Sequence, residues 1–199
     1  KIVIKILALL LVLVSINFAQ TVWAFDKSHS NVSFSITHML ISETVGAFNT
    51  FDGKIITKDD SFENAEVTMT FDINSINTDN ERRDNHLKSD DFFNAEKYPQ
   101  MTFAGNKFKK ISDENYELWG DLTIRDVTKE VKLDVILNGI ITDSRGRKKA
   151  GFKLTGELNR FDYNLKWNKV MEAGGLVAGE MVTIKANIEL IQQPDDSNN

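Results

Sequence analysis

The stretch Phe25–Gly53, FDKSHSNVSFSITHMLISETVGAFNTFDG, sets the pattern by which the rest of the chain is read. A short strand breaks at Asp26-Lys27-Ser28-His29-Ser30. An alternating run follows, with Val32, Phe34, Ile36 and His38 on one face and Ser33, Ser35 and Thr37 on the other. Strict period two over this length predicts a half-buried β-strand, with the serine and threonine face toward solvent. The run closes on Gly46-x-Phe48 and Phe51-x-Gly53. Glycines beside aromatics in strands mark bends, bulges or close backbone approach.

The same pattern recurs downstream. Apolar residues alternate with polar ones over 65–73, 116–124, 131–137, 152–158 and 182–190, and a shorter run starts at Met101. Turn signals separate the runs at Ser112-Asp113-Glu114-Asn115, Asn138-Gly139 and Asp143-Ser144-Arg145-Gly146. Both prolines, Pro99 and Pro194, lie outside the runs. About eight antiparallel strands in this arrangement predict an all-β sandwich or barrel. One segment breaks the period: Thr78-x-x-Glu81 has capping-box spacing and predicts a short helix through Lys88, with a further turn to Phe93.

The polarity of the two faces says which is inside. One face is aliphatic or aromatic, and the other carries Lys, Glu, Asp, Thr and Asn. Charges pointing into a narrow barrel would be buried without water, so the charged face is the solvent face. This excludes an outer-membrane barrel, which is apolar outside. Thirteen Phe and five Met make a large apolar interior. An eight-stranded barrel either fills such an interior or keeps space for one ligand, and both readings stay open here.

Residues 1–19 read as a secretory signal: Lys1 and Lys5 are followed by the apolar run Ile6–Val14, with exits at Ala19 or, at the latest, Ala24. The run is much shorter than the roughly 20 residues of a membrane-spanning helix. Trp23-Ala24-Phe25 already alternates as a strand, which favours cleavage after Ala19. The periplasm is the expected destination. A single domain over 20–191 and a polar tail over 192–199 follow. The net charge of −5, which losing Lys1 and Lys5 makes more negative, argues against nucleic acid or an anionic membrane as main partner. With no cysteine, thiol catalysis and thiolate metal sites are excluded.

Several clusters resemble one family: Asp26-x-x-His29-Ser30-x-Val32-x-Phe34, Gly46-x-Phe48-x-x-Phe51-x-Gly53, Arg83-Asp84-x-His86-Leu87, Asp91-Phe92-Phe93 and Tyr98-Pro99. Gly120-Asp121-Leu122-Thr123-Ile124-Arg125, Val127-Thr128-Lys129 and Asn159-Arg160-x-Asp162-Tyr163 complete the set. Together they resemble the YceI-like family, also called polyisoprenoid-binding proteins. The resemblance implies a lipocalin-like antiparallel eight-stranded barrel whose elongated cavity takes a long isoprenoid, in an exported binding protein that is not an enzyme. Asp126 and Asn164 stand where the family usually has glycine. Both residue types tolerate positive φ, so both turns are expected to survive.

On this reading the expected cavity lining is Phe34, Ile36, His38, Val67, Met69, Phe71, Leu118, Leu122, Phe152, Leu154, Trp167 and Met171. The ligand would be a polyprenyl or quinone-like lipid or a similar amphiphile, without cofactor. His38, Arg160 and Asp162 are candidate head-group anchors, against the alternative of an Arg160–Asp162 pair that fixes a strand end. His29, His38 and His86 show no paired metal-ligand spacing, so no metal site is expected. No nucleophile elbow or phosphate loop is present. The segment 174–179, preceded by Leu165, Trp167, Val170 and Met171, reads either as an apolar lid or as a plain hairpin connection. The basic run Arg145–Lys149 reads as a solvated tip. A homodimer is compatible with the sequence, and so is a solid-cored envelope protein that acts through its surface.

Overall fold

The computed structural model describes residues 20–171 and 176–194. The expected signal segment 1–19 and part of the expected lid, 172–175, lie outside the described residues, as does the end of the polar tail. Strands β1 (Thr21–Phe25), β2 (Asn31–His38), β3 (Ser42–Phe48), β4 (Phe51–Thr57), β5 (Glu66–Asp72) and β6 (Ile76–Asn77) precede a helix α1 (Glu81–Lys88). After it come β7 (Gln100–Lys110), β8 (Asn115–Ile124), β9 (Val127–Thr142), β10 (Lys148–Asn159) and β11 (Ala178–Gln192).

Pairing closes the sheet into a barrel in the order β1-β4-β5-β7-β8-β9-β10-β11, sealed by β1 against β11 at Trp23↔Gln192 and Phe25↔Leu190. Strands β2, β3 and β6 prolong β1, β4 and β5 toward one end, because β2 pairs with the first part of β11, β3 with β2 and β6 with β3. The barrel therefore has eight antiparallel staves, three of them broken. Closure pairs β1 with β11 and so removes the free edges of the main ring, while β6 ends the prolonging strands with β3 as its one partner among the described residues.

The first break is the Asp26–Ser30 segment. Glu189 of β11 is bonded to both of its sides: its carbonyl accepts from Asp26 N–H at 2.8 Å and from the Ser30 hydroxyl at 3.2 Å, and its N–H donates to Ser30 Oγ at 2.9 Å. The second break, at Asn49-Thr50, is held by Ser75, whose carbonyl and hydroxyl accept the N–H groups of Asn49 and Thr50. Gly46 faces Phe34 across the β2–β3 pair, where a Cβ would lie 2.7 Å from the Thr78 methyl and clash with the edge of the Phe34 ring. The glycine-aromatic pairing seen in the sequence is thus a close approach.

Four local readings are corrected. The cap of α1 is Asn80, which accepts the Arg83 N–H at 3.0 Å, because Thr78 is buried and donates both N–H and hydroxyl to Asp84. Asn138-Gly139 is no turn: β9 runs through it, and the register shifts so that Gly151 faces Gly139 and Phe152 faces Leu137. Asn138 is the extra residue of a bulge, and Gly139 has φ of 147°. In the β8–β9 turn Arg125 takes the positive φ (55°), not Asp126, whereas Asn164 adopts the left-handed conformation as expected (61°). Ser35, expected in solvent, is buried. Gln193 N–H donates to Val22 O, so the tail stays pinned to β1 one residue beyond the strand.

One end of the barrel is solid. Phe62, on the β4–β5 loop, is fully buried and packs 5.1 Å from the ring of Trp23 and 4.9 Å from that of Phe152. Trp23 donates to the Thr57 hydroxyl at 3.0 Å, and Tyr116 donates to Ser61 O at 2.6 Å. The other end carries the β2–β3 and β8–β9 hairpins and α1.

Candidate ligand cavity

Several inward residues of the upper barrel are only half-buried although they point away from bulk water: Phe34, Ile36, Met69, Leu133, Leu154, Val182 and Ile184. They face a cavity of about 590 Å³. Its walls are aliphatic and aromatic, with Phe25, Phe48, Phe71, Phe103, Phe108 and Phe152 toward the closed end and along the sides. The volume lies within the range of small-molecule sites, and the lining suits an apolar chain.

Of the expected lining residues, Phe34, Ile36, His38, Val67, Met69, Phe71, Leu118, Leu122, Phe152, Leu154 and Trp167 border this cavity. Met171 does not. It follows Val170, which bridges to Leu176, is 77% exposed and does not line the cavity either. The expected lining left out the residues of β9, whose Val131, Leu133 and Val135 line the wall, and the whole rim contributed by α1 and its following loop. The β9 alternation was visible. The rim was not, because a polar helix of eight residues gives no sign of which end it covers.

At the mouth, α1 supplies Arg82, Arg83, His86 and Leu87, and the next loop supplies Phe92 and Phe93. Arg83 donates to Thr78 through Nε (2.7 Å to Oγ1) and through Nη2 (2.6 Å to the carbonyl), which ties α1 to β6. His86 Nε2 lies 2.8 Å from Asp91 Oδ2, and its ring packs edge-on to Phe92 (5.1 Å) and Trp167 (4.9 Å). Arg125 donates to the carbonyls of Asp90 (3.2 Å) and Phe92 (2.9 Å), so the strained β8–β9 turn anchors this loop. The scattered Arg-Asp-x-His-Leu and Asp-Phe-Phe clusters are thus one assembly at the cavity entrance.

Of the two remaining expected anchors, Arg160 borders the cavity and Asp162 does not. Arg160 is 3% exposed and donates to the carbonyls of Leu165, Trp167 (2.9 Å), Ala178 (3.2 Å) and Gly179 (2.7 Å). Asp162 is exposed and outside the cavity, because the turn over Arg160–Tyr163 points it outward. The two form no ion pair, and most of the guanidinium is taken up by the backbone. Burial pushes its pKa below the ordinary arginine value. His38 borders the cavity at the end of β2, paired with Ala178.

At the Asp26 corner, Lys149 Nζ lies 3.2 Å from Asp26 and 2.5 Å from Glu189, and His29 Nδ1 lies 3.0 Å from Asp26. Partial burial works against ionisation of Asp26, but bonds from His29, Lys149 and the Ser28 N–H outweigh it and hold its pKa at about 2. Asp26, His29 and Glu189 stand within ligand distance of one another, but the Lys149 ammonium already sits against both carboxylates. The corner is an ion-paired joint between β1, β10 and β11, away from the cavity.

The YceI-like domain matches residues 23–190, nearly all of the described barrel. The chain belongs to the YceI-like family. A UPF0312 protein of Staphylococcus aureus (strain MSSA476) is 36% identical over 171 residues, covering 85% of this chain and 97% of its own. Among solved structures, a YceI protein of Campylobacter jejuni superposes with a TM-score of 0.65 at 32% identity, over 85% of this chain and 96% of its own. BcnA of Burkholderia cenocepacia shares the fold, with a TM-score of 0.72 at 22% identity over 83% and 98% of the two chains. A polyisoprenoid-binding domain from Saccharophagus degradans has a TM-score of 0.64 at 14% identity, over 89% and 100%. The YceI-like barrel expected from the residue clusters is the observed fold.

Proposed function

We propose that this protein binds a long-chain isoprenoid, polyprenyl or quinone-like, or a similar amphiphile, and carries it in the periplasm without chemically altering it. The observation that carries the reading is the phenylalanine- and leucine-rich cavity inside a closed barrel. Each methylene moved from water into such a space contributes about 0.8 kcal/mol, so a long chain gains affinity from length alone. The polyisoprenoid-binding domain of Saccharophagus degradans, which has the same fold, supports this choice of ligand. Arg82, Arg83, His38 and His86 border the mouth, and no carboxylate lines the cavity among the described residues, which favours an acidic or hydrogen-bond-accepting head group. Export agrees with the basic-apolar start of the sequence, and β1, beginning at Thr21, is left whole by cleavage after Ala19. The cavity also weighs against a solid-cored protein acting only through its surface.

Native mass spectrometry of protein purified without detergent tests the reading. The expected spectrum shows an adduct, or one that forms on adding a polyprenyl lipid. A bare mass that persists after lipid addition would overturn it.

A further inference from the structure

The tip of the β2–β3 hairpin is Met39-Leu40-Ile41, a loop of three apolar residues. Met39 and Leu40 have φ of 51° and 62°, a conformation that asparagine or glycine adopts at low cost and large apolar residues rarely do. Leu40 is 68% exposed and Ile41 87%. Neither the turn nor the core requires these side chains, so they point to a surface role.

The tip adjoins the cavity entrance. Met39 N–H donates to Val177 O at 2.8 Å, and His38, Val177 and Trp167 border the cavity. Beside the tip, joined to it through Val177, whose N–H donates to Lys169 O at 2.9 Å, Leu165–Met171 (LKWNKVM) presents exposed Val170 with Lys166 and Lys169; it holds no acidic residue, although Glu172 follows it in the sequence. Tryptophan, lysine and aliphatic residues together are the composition of segments that lie in a membrane interface.

We propose that this rim docks on the surface of a phospholipid bilayer containing anionic lipid, with the mouth facing the membrane. The inference rests on the lipid-binding reading: a long apolar chain would then pass between bilayer and barrel without crossing water. Glu43 and Glu180 lie on β3 and β11 next to the tip, Glu81, Asp90 and Asp91 are exposed on the α1 side of the mouth, and the whole chain is acidic, so attachment is confined to the tip and its neighbouring segment, modest and weakened by salt. A bilayer fits better than a second copy of the chain, because a two-fold contact through this face would set Lys166 and Lys169 against their own equivalents.

Flotation of the purified protein with vesicles of phosphatidylcholine and phosphatidylglycerol tests this. The wild type is expected to float with the vesicles, and Leu40→Asp/Ile41→Asp to lose about tenfold in the bound fraction, since two inserted apolar side chains are removed. Val170→Asp should weaken binding from the neighbouring segment of the same rim. These side chains are exposed, so melting temperatures should not change. Equal flotation of wild type and double variant would overturn the proposal, as would a wild type that does not float but forms a dimer the double variant loses. Uptake of a polyprenyl lipid presented in detergent separates the two readings. If both proteins take it up and flotation is equal, only the docking claim falls. If the wild type takes up none, the lipid-binding reading falls and the docking claim with it.

Discussion

Asp26 shows how one carboxylate holds a joint that the sequence left unexplained. Its folded pKa of about 2 lies below the ordinary value of about 3.9, so its ion pairs stabilise the fold above the ordinary value and that contribution is lost as pH falls through about 2. Asp26→Asn should therefore lower the melting temperature at neutral pH, and the gap to wild type should shrink as pH drops from about 4 to 2. A gap independent of pH would show that the charge of Asp26 is not what holds the corner. Tyr163 is the opposite case. Its buried hydroxyl has no partner among the described residues, and burial pushes its pKa up to about 12. Tyr163→Phe should raise the unfolding free energy by about 1 kcal/mol in urea titrations, because an unsatisfied polar atom is removed. A loss instead would show that the hydroxyl is bonded in solution.

Among the elements, the segment from Arg160 to β11 depends on one side chain. The guanidinium fork reaches four carbonyls on two stretches of chain, which a lysine ammonium cannot do. Arg160→Lys should cost about 2 kcal/mol and loosen Leu165–Asn168, read as faster amide exchange there. A fully stable variant would contradict this. The strands were legible because each has one charged and one apolar face. What was not legible depends on partners far away in sequence. Asn138-Gly139 looks like a hairpin turn until β10 opposite supplies one residue fewer. Arg160 and Asp162 look like a pair until the carbonyls of Leu165 and Ala178 arrive. Thr78-x-x-Glu81 reads as a capping box, but Thr78 is engaged by Asp84 and Asn80 takes its place.

The whole molecule divides into a packed end that supplies stability and an open end that supplies space. Phe62 belongs to the first, touching Trp23 and Phe152 but not the cavity. Phe62→Ala should cost about 3–5 kcal/mol while leaving the mouth intact. Leu154 and Ile184 belong to the second, half-buried because they face the cavity. Larger side chains there have room to enter, so filling the cavity and destabilising the fold are separable. The most direct measurement is a polyprenyl-lipid binding titration of wild type against Leu154→Trp/Ile184→Trp, with thermal melting of both. Wild type should bind saturably, the double variant about tenfold or more weaker, and the melting temperatures should be closely similar. Equal affinity in the two folded proteins would mean that the chain does not lie inside the barrel.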